Sequence, residues 1–191
     1  MRRASLAAAM LLLAGCAAEP PRARTAAELN NTQLSPALSQ WLIGAVSKLA
    51  TPEEVRAYLA LSDDAAATAF IEAFWAAHDP NAARPGNPLR ELFERRALEA
   101  DKRFSEAGYL GRRTDRGTLF VLYGEPKTID FEINPREGNP PVELWTYGGA
   151  KGPALDGKLP SPVYRFVKQG DLTVLFQPPL IDRTLVLPPA D

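Results

Sequence analysis

One cysteine and one histidine in 191 residues leave two classes of chemistry without parts. A monomer with a single thiol has no internal disulfide, and a zinc site built from Cys and His lacks ligands. Neither sign of charge dominates. Twenty-two basic against 23 acidic side chains give a net charge of -1, which removes the basic balance of a general nucleic-acid binder, so no nucleic-acid partner is expected. No Gly-x-Ser-x-Gly elbow is present and no Gly-rich loop follows a strand pattern. Serine-hydrolase, nucleotide and haem motifs are therefore lacking, and neither cofactor nor metal is expected. What is present is ordinary globular composition, 46% hydrophobic and 24% charged, enough for one domain with tails.

Arg2 and Arg3 precede an apolar run, residues 6–14, that ends in Leu13-Ala14-Gly15-Cys16. Its nine residues fall short of the ~20 that span a bilayer, so residues 1–15 read as a removable signal peptide. Leu-Ala-Gly-Cys resembles the bacterial lipobox, which makes Cys16 the acylated N-terminus of an exported, lipid-anchored protein. Each buried methylene adds ~0.8 kcal/mol, so several acyl chains together hold the protein on the lipid bilayer. The alternative is an ordinary exported protein, cut after Ala14 or Gly15, with a free thiol. By resemblance to lipoprotein sorting, Ala17 in place of an acidic residue directs the protein to the outer membrane, facing the periplasm. Loss of Arg2 and Arg3 leaves 20 basic against 23 acidic side chains, or -3, so the mature body has no electrostatic reason to lie on anionic lipid.

Residues 16–34, with Pro20, Pro21 and no sustained period, read as a tether. Residues 35–68 form an N-terminal helical segment, residues 69–177 the main domain, and residues 178–191 a Pro-rich tail. Ser35-Pro36, Thr51-Pro52 and Ser62-Asp63 each combine a helix-capping residue with a favourable first turn, predicting three successive helices. In the third, Ala67, Phe70, Ile71, Phe74 and Trp75 fall on one face and predict a central core helix. Asn87-Pro88 opens a long helix with an inward face of Leu89, Leu92, Phe93, Ala97, Ala100 and Phe104. Its Glu91/Arg95 and Glu99/Arg103 spacings suit solvated pairs worth ~0.3–0.5 kcal/mol each.

After Gly117 the pattern turns extended. Residues 118–123 are an unbroken apolar run before Gly124-Glu125-Pro126 and predict a strand covered on both faces. Ile129, Phe131 and Ile133 alternate with acidic residues, predicting a half-buried strand; residues 143–147, 164–167 and 172–176 continue the series. Helices first and strands second give an α+β fold, N-terminal helices packed on a small, mainly antiparallel β-sheet. The Gly/Pro-rich stretch 148–162 is expected to be its most mobile loop.

Phe74, Asp79-Pro80, Asn87, Arg96, Ala100 and Phe104, then residues 111–117 (Gly-Arg-Arg-Thr-Asp-Arg-Gly), Tyr123-Gly124-Glu125-Pro126 and residues 143–147 (Glu-Leu-Trp-Thr-Tyr), resemble the bacterial GWxTD domain in order and spacing. The resemblance covers residues 69–176. Arg112 stands at the position of the signature Trp, and Asp101 where Asn is usual. The resemblance implies an exported protein or lipoprotein and no established general activity.

Thr114, Asp115, Arg116 and Gly117, with Asp79, Arg96 and Tyr123 nearby, make the sharpest candidate binding site. Two readings stand open. Asp115 and Arg116 offer an acceptor and a bidentate donor to a ligand or partner, or the Thr and Asp side chains hold a turn, Arg116 pairs with a carboxylate, and Gly117 supplies special backbone geometry. Trp145 and Tyr147 share a strand face with Glu143 and are candidates for an aromatic binding surface, whereas Trp75 reads as packing. His78 beside Asp79 reads as a general base or as the cap of a helix C-terminus. The whole chain reads as a lipid-anchored envelope module that binds or scaffolds an envelope protein or polymer without catalysis. The alternative is a cell-wall or glycan hydrolase that works through paired carboxylates drawn from Asp79, Glu91, Glu94, Asp115 and Glu125.

Overall fold

The computed structural model describes residues 24–133, 138–148 and 154–176. The expected signal peptide, Cys16 and the 178–191 tail lie outside the described residues. Among the described residues six α-helices precede four strands: α1 Pro36–Ser39, α2 Val46–Leu49, α3 Pro52–Leu59, α4 Asp64–Ala77, α5 Pro88–Phe104 and α6 Asp115–Tyr123, then β1 Thr128–Glu132, β2 Val142–Thr146, β3 Val163–Gln169 and β4 Leu172–Leu175. The strands form an antiparallel meander in the order β1-β2-β3-β4. The fold is α+β, as the sequence predicts.

Helix starts follow their capping residues. Thr51 and Glu54 form a reciprocal capping box on α3, Asp63 accepts from Ala66 N on α4, and Asn87 accepts from Arg90 N on α5. The first predicted helix is instead two short pieces. Gly44 lies between them at φ +91°, and a Cβ there would sit 2.3 Å from the Arg112 carbonyl oxygen. The close approach of that backbone, and the left-handed conformation, break the helix where only glycine fits.

Packing begins earlier than Ser35. Leu29 and Leu34 are buried in the core, and Asn31 donates to the Tyr58 and Leu61 carbonyls that end α3. That stretch was expected to be tether, but its two leucines join the core and its asparagine is tied to the end of α3. Two aromatic groups then fill the interior. Trp41, Tyr58, Phe74 and Trp75 pack with centroid distances of 4.8 to 5.2 Å in the helical half. Phe104 packs on Phe120 at 5.5 Å and on Trp145 at 5.3 Å, and Trp145 on Phe166 at 5.0 Å, beneath the sheet. Phe93 joins Trp75 at 5.0 Å, so α5 carries one end of each group.

The largest departure is α6. Residues 118–123, expected as a strand, are helical, with Leu119, Phe120, Val121 and Leu122 all buried. β-prone residues in an unbroken apolar run suit a strand covered on both faces, but they equally suit a helix enclosed on all sides. Here α6 lies between α5 and the sheet, and tertiary burial outweighs local preference. β1 departs as well: Ile129 and Phe131 are exposed rather than half-buried. The supposedly mobile 148–162 stretch is docked where it is described: Leu155 is buried, its N–H bonds Leu122 O, and Asp156 accepts from the Tyr123 hydroxyl at 3.1 Å. Arg103 of α5 pairs with Glu125 in the turn after α6, and Arg90 with Glu72 and Glu94.

The buried phenols make stability sensitive to alkali. Burial pushes the Tyr147 hydroxyl, which donates to Gly124 O at 3.0 Å, well above its ordinary range. It does the same to Tyr123 and raises Tyr58 to about 12. The folded chain therefore holds protons that the unfolded chain releases near pH ~10, so the contribution is complete below that pH and declines as pH rises through it. Melting temperature should be level from about pH 8 to 9.5 and fall above about pH 10. Tyr147→Phe should cost about 1 kcal/mol at neutral pH through the lost hydrogen bond, yet decline less steeply in alkali.

Candidate functional site

The segment from Gly111 to Gly117 joins a 3-10 turn, Gly111–Arg113, to the start of α6. Thr114 is the N-cap: its hydroxyl accepts from Gly117 N at 3.1 Å and donates to Gly111 O at 2.9 Å. Gly117 has no unusual φ. It is needed for space, since a Cβ would lie 1.7 Å from Gly111 O, and a Cβ on Gly111 would lie 1.9 Å from Ala100 O. The expected special backbone geometry at Gly117 is thus replaced by close contact of three backbone segments.

Asp115 leaves its own helix and accepts from Leu175 N of β4 at 2.6 Å. Glu106, in the loop after α5, accepts from Thr173 N and from Thr173 Oγ1, both at 2.9 Å. Thr173 and Leu175 are alternate residues of an edge strand, so two carboxylates satisfy amides on the outer side of β4. An edge treated this way offers no row of free donors to another chain.

Arg116 ties this edge to the sheet interior. Its guanidinium donates to Glu106 Oε2 at 2.8 Å and to Glu143 Oε2 at 3.1 Å, and lies over the Phe104 ring at 5.7 Å. All three charged side chains are largely buried. Glu143 uses its other oxygen to accept from Trp145 Nε1 at 2.7 Å. Trp145 has 0% exposure and Tyr147 is also buried, so neither presents a ring to solvent; the proposed aromatic surface is core. All four carboxylate oxygens of Glu106 and Glu143 thus hold internal donors, the arrangement of a structural brace.

The remaining candidates separate. Arg96 donates to the Val121 and Leu122 carbonyls near the C-terminus of α6, where a cation is favoured by the helix dipole. Burial lowers the pKa of Arg96. Gly124, at φ +81°, lets that guanidinium approach, because a Cβ would lie 2.8 Å from it. Asp79 accepts from Asn81 N in its own turn, and His78 places Nδ1 2.8 Å from Phe74 O and stacks on the Phe74 ring. His78 is therefore placed as the C-cap of α4. Tyr123 faces Asp156. Asp101 and Arg112 meet: Asp101 accepts from Arg112 N at 2.9 Å and from Arg112 Nε at 2.8 Å. Among the described residues no group of three or more His, Cys, Asp or Glu could hold a metal ion, and no helix is long and apolar enough to cross a membrane.

The GWxTD domain family model matches residues 30–155, from ahead of α1 to the loop after β2. The chain belongs to the GWxTD-domain family. The match takes in the N-terminal helices as well as the segment containing Thr114 and Asp115, and one hydrophobic cluster runs from Leu29 to Phe166. No curated protein and no solved structure is a match for the chain. The Thr-Asp pair of this family member thus caps a helix and a sheet edge with two consecutive residues.

Glu106 escapes the sequence reading, since nothing in Ser105-Glu106-Ala107 distinguishes a loop carboxylate that reaches β4. Glu143 is legible only as a polar residue on the face of Trp145.

Truncating Arg116 to Met leaves buried Glu143 without a cation and Glu106 with only Lys168 at 3.7 Å, and should cost about 3–5 kcal/mol in urea unfolding. Asp115→Ala, at an exposed position, should cost about 1 kcal/mol. Arg116→Met combined with Glu143→Gln should be more stable than Arg116→Met alone, because one unpaired charge is removed.

Proposed function

We propose that this GWxTD-domain protein is a non-catalytic, lipid-anchored binding module of the cell envelope, held on the bilayer through acylated Cys16 and engaging another envelope protein. The observation that carries the binding reading is the apolar row Ile129, Phe131 and Ile133 on and beside β1, with Phe131 at 68% and Ile133 at 94% exposure. Large apolar side chains clustered in the open mark an interaction surface more often than chance. The inward bonding of Thr114, Asp115 and Arg116 supports the same reading, because it leaves the family's polar signature to stability and recognition to another surface. The anchor rests on the apolar run and Leu13-Ala14-Gly15-Cys16. Placement on the periplasmic face of the outer membrane follows from Ala17 after the acylated residue.

Fractionation of cells after brief crosslinking tests both halves. Wild type should sediment with membranes and carry a discrete adduct to one envelope protein. Cys16→Ala should move to the soluble fraction and lose the adduct. Release of soluble glycan fragments by wild type, abolished in Asp115→Asn with the fold intact, would overturn the reading in favour of carboxylate hydrolysis.

A further inference from the structure

The two edges of the sheet are treated differently. Carboxylates close β4, whereas β1 has no partner on its outer side among the described residues. Tyr147 donates its N–H to Pro162 O on the β3 side. By alternation, Val142, Leu144 and Thr146 turn their amides toward β1, and their register partners Glu132, Asp130 and Thr128 turn theirs toward β2. The N–H and C=O groups of Ile129 and Phe131 therefore point away from the sheet.

Side chains on this edge divide by face. Phe131 lies opposite Glu143, and Glu143 opposite Phe166, so Phe131 continues the row that the helices cover farther in. A cavity of about 290 Å³ opens there, lined by Phe131, Pro140, Pro141 and Phe166 over Glu143 and Lys168. The opposite face carries Asp130, which accepts from Thr128 Oγ1 at 2.7 Å, and Glu132, which pairs with Arg165 at 3.5 Å. Glu132 has a cation and Asp130 is in no ion pair among the described residues, so this face of the edge is net acidic.

We infer that β1 accepts an extended segment of a different protein as a fifth strand, the segment alternating apolar and basic residues. This rests on the binding reading above and names its site and partner chemistry. Backbone pairing with Ile129 and Phe131 supplies the attachment, an apolar side chain enters the cavity beside Phe131, and basic residues lie against Asp130 and Glu132. Charge argues against a second copy of this chain as the occupant. Antiparallel self-pairing over the whole strand sets Asp130 against Asp130, and pairing centred on Phe131 sets Asp130 against Glu132. Like charges directly opposite one another oppose both registers.

The test uses the full lipidated protein in zwitterionic nanodiscs, with empty nanodiscs as the blank, and four fluorescent nonapeptides. One alternates Val and Lys, one alternates Val and Glu, one has the Val/Lys composition in blocks, and one is the alternating Val/Lys peptide with alternate amides N-methylated. The alternating Val/Lys peptide should bind at least tenfold tighter than the other three. Phe131→Ser, an exposed substitution that leaves the fold intact by circular dichroism, should weaken it at least tenfold. Asp130→Lys combined with Glu132→Lys should reverse the preference toward the Val/Glu peptide. Equal binding of the blocked and alternating peptides, or an unchanged affinity in Phe131→Ser, would overturn the inference. So would a wild-type dimer abolished by Phe131→Ser, which makes a second copy the occupant, or tighter peptide binding after removal of residues 178–191, which makes the tail the occupant. An envelope adduct in cells without peptide binding in vitro would sink this edge while leaving the binding reading intact.

Discussion

Arg116 is the point at which three parts of the chain are fixed to one another. Its guanidinium joins the first turn of α6 to the loop after α5 through Glu106 and to β2 through Glu143. Glu106 passes the connection to β4 through both the backbone and the side chain of Thr173. Helix, loop and two non-adjacent strands therefore share one charge network, largely withdrawn from water. Such a network is costly to desolvate and is tolerated because nearly all its oxygens and donors are satisfied; planar, bidentate arginine suits the bridge where lysine would not.

The adjoining Thr114 and Asp115 act on the same junction by shorter means. Thr114 ends the backbone turn and starts α6, and Asp115 reaches from that start to β4. Sequence neighbours thus set helix position and sheet position together. Gly111 and Gly117 permit this because the turn, α5 and α6 approach at backbone contact, with no volume left for a Cβ. The bond between Asp101 and Arg112 pins the beginning of the turn to α5. Asp101 and Arg112, an acid on α5 and a base in the turn, are therefore partners across that contact.

Much of this was readable from residue types. Thr51, Asp63 and Asn87 announced helix starts because a capping oxygen acts on backbone two or three residues away, a local effect. The core stripe of α4 and all four strands were legible for the same reason, since periodicity is local. Residues 118–123 were not. An apolar run enclosed on all sides loses the alternation that separates helix from strand, and only its flanks, Thr114 before and Gly124 after, carried the helix signal. The site was legible in part: the pairing of Arg116 was foreseeable as chemistry, but its partners lie 10 and 27 residues away and are chosen by the fold. Trp145 and Tyr147 look like a binding surface in one dimension, and only the third shows that α5 and α6 cover them.

The asymmetry between the sheet edges follows from the same economy of contacts. Helix α6 runs beside β4, and the brace residues at its start lie within reach of that strand's outer amides. β1 is three strands away, beyond the reach of α6, and its continuation of the buried row ends in exposed Phe131. Among the described residues, the meander closes its β4 edge with its own side chains and leaves its β1 edge without a partner. Charge on its solvent face opposes pairing with a copy of itself, since one register sets Asp130 against Asp130 and another sets Asp130 against Glu132. That opposition is selective by nature: it acts against acidic strands and not against basic ones, so the two carboxylates that disfavour a like-charged edge favour a basic one.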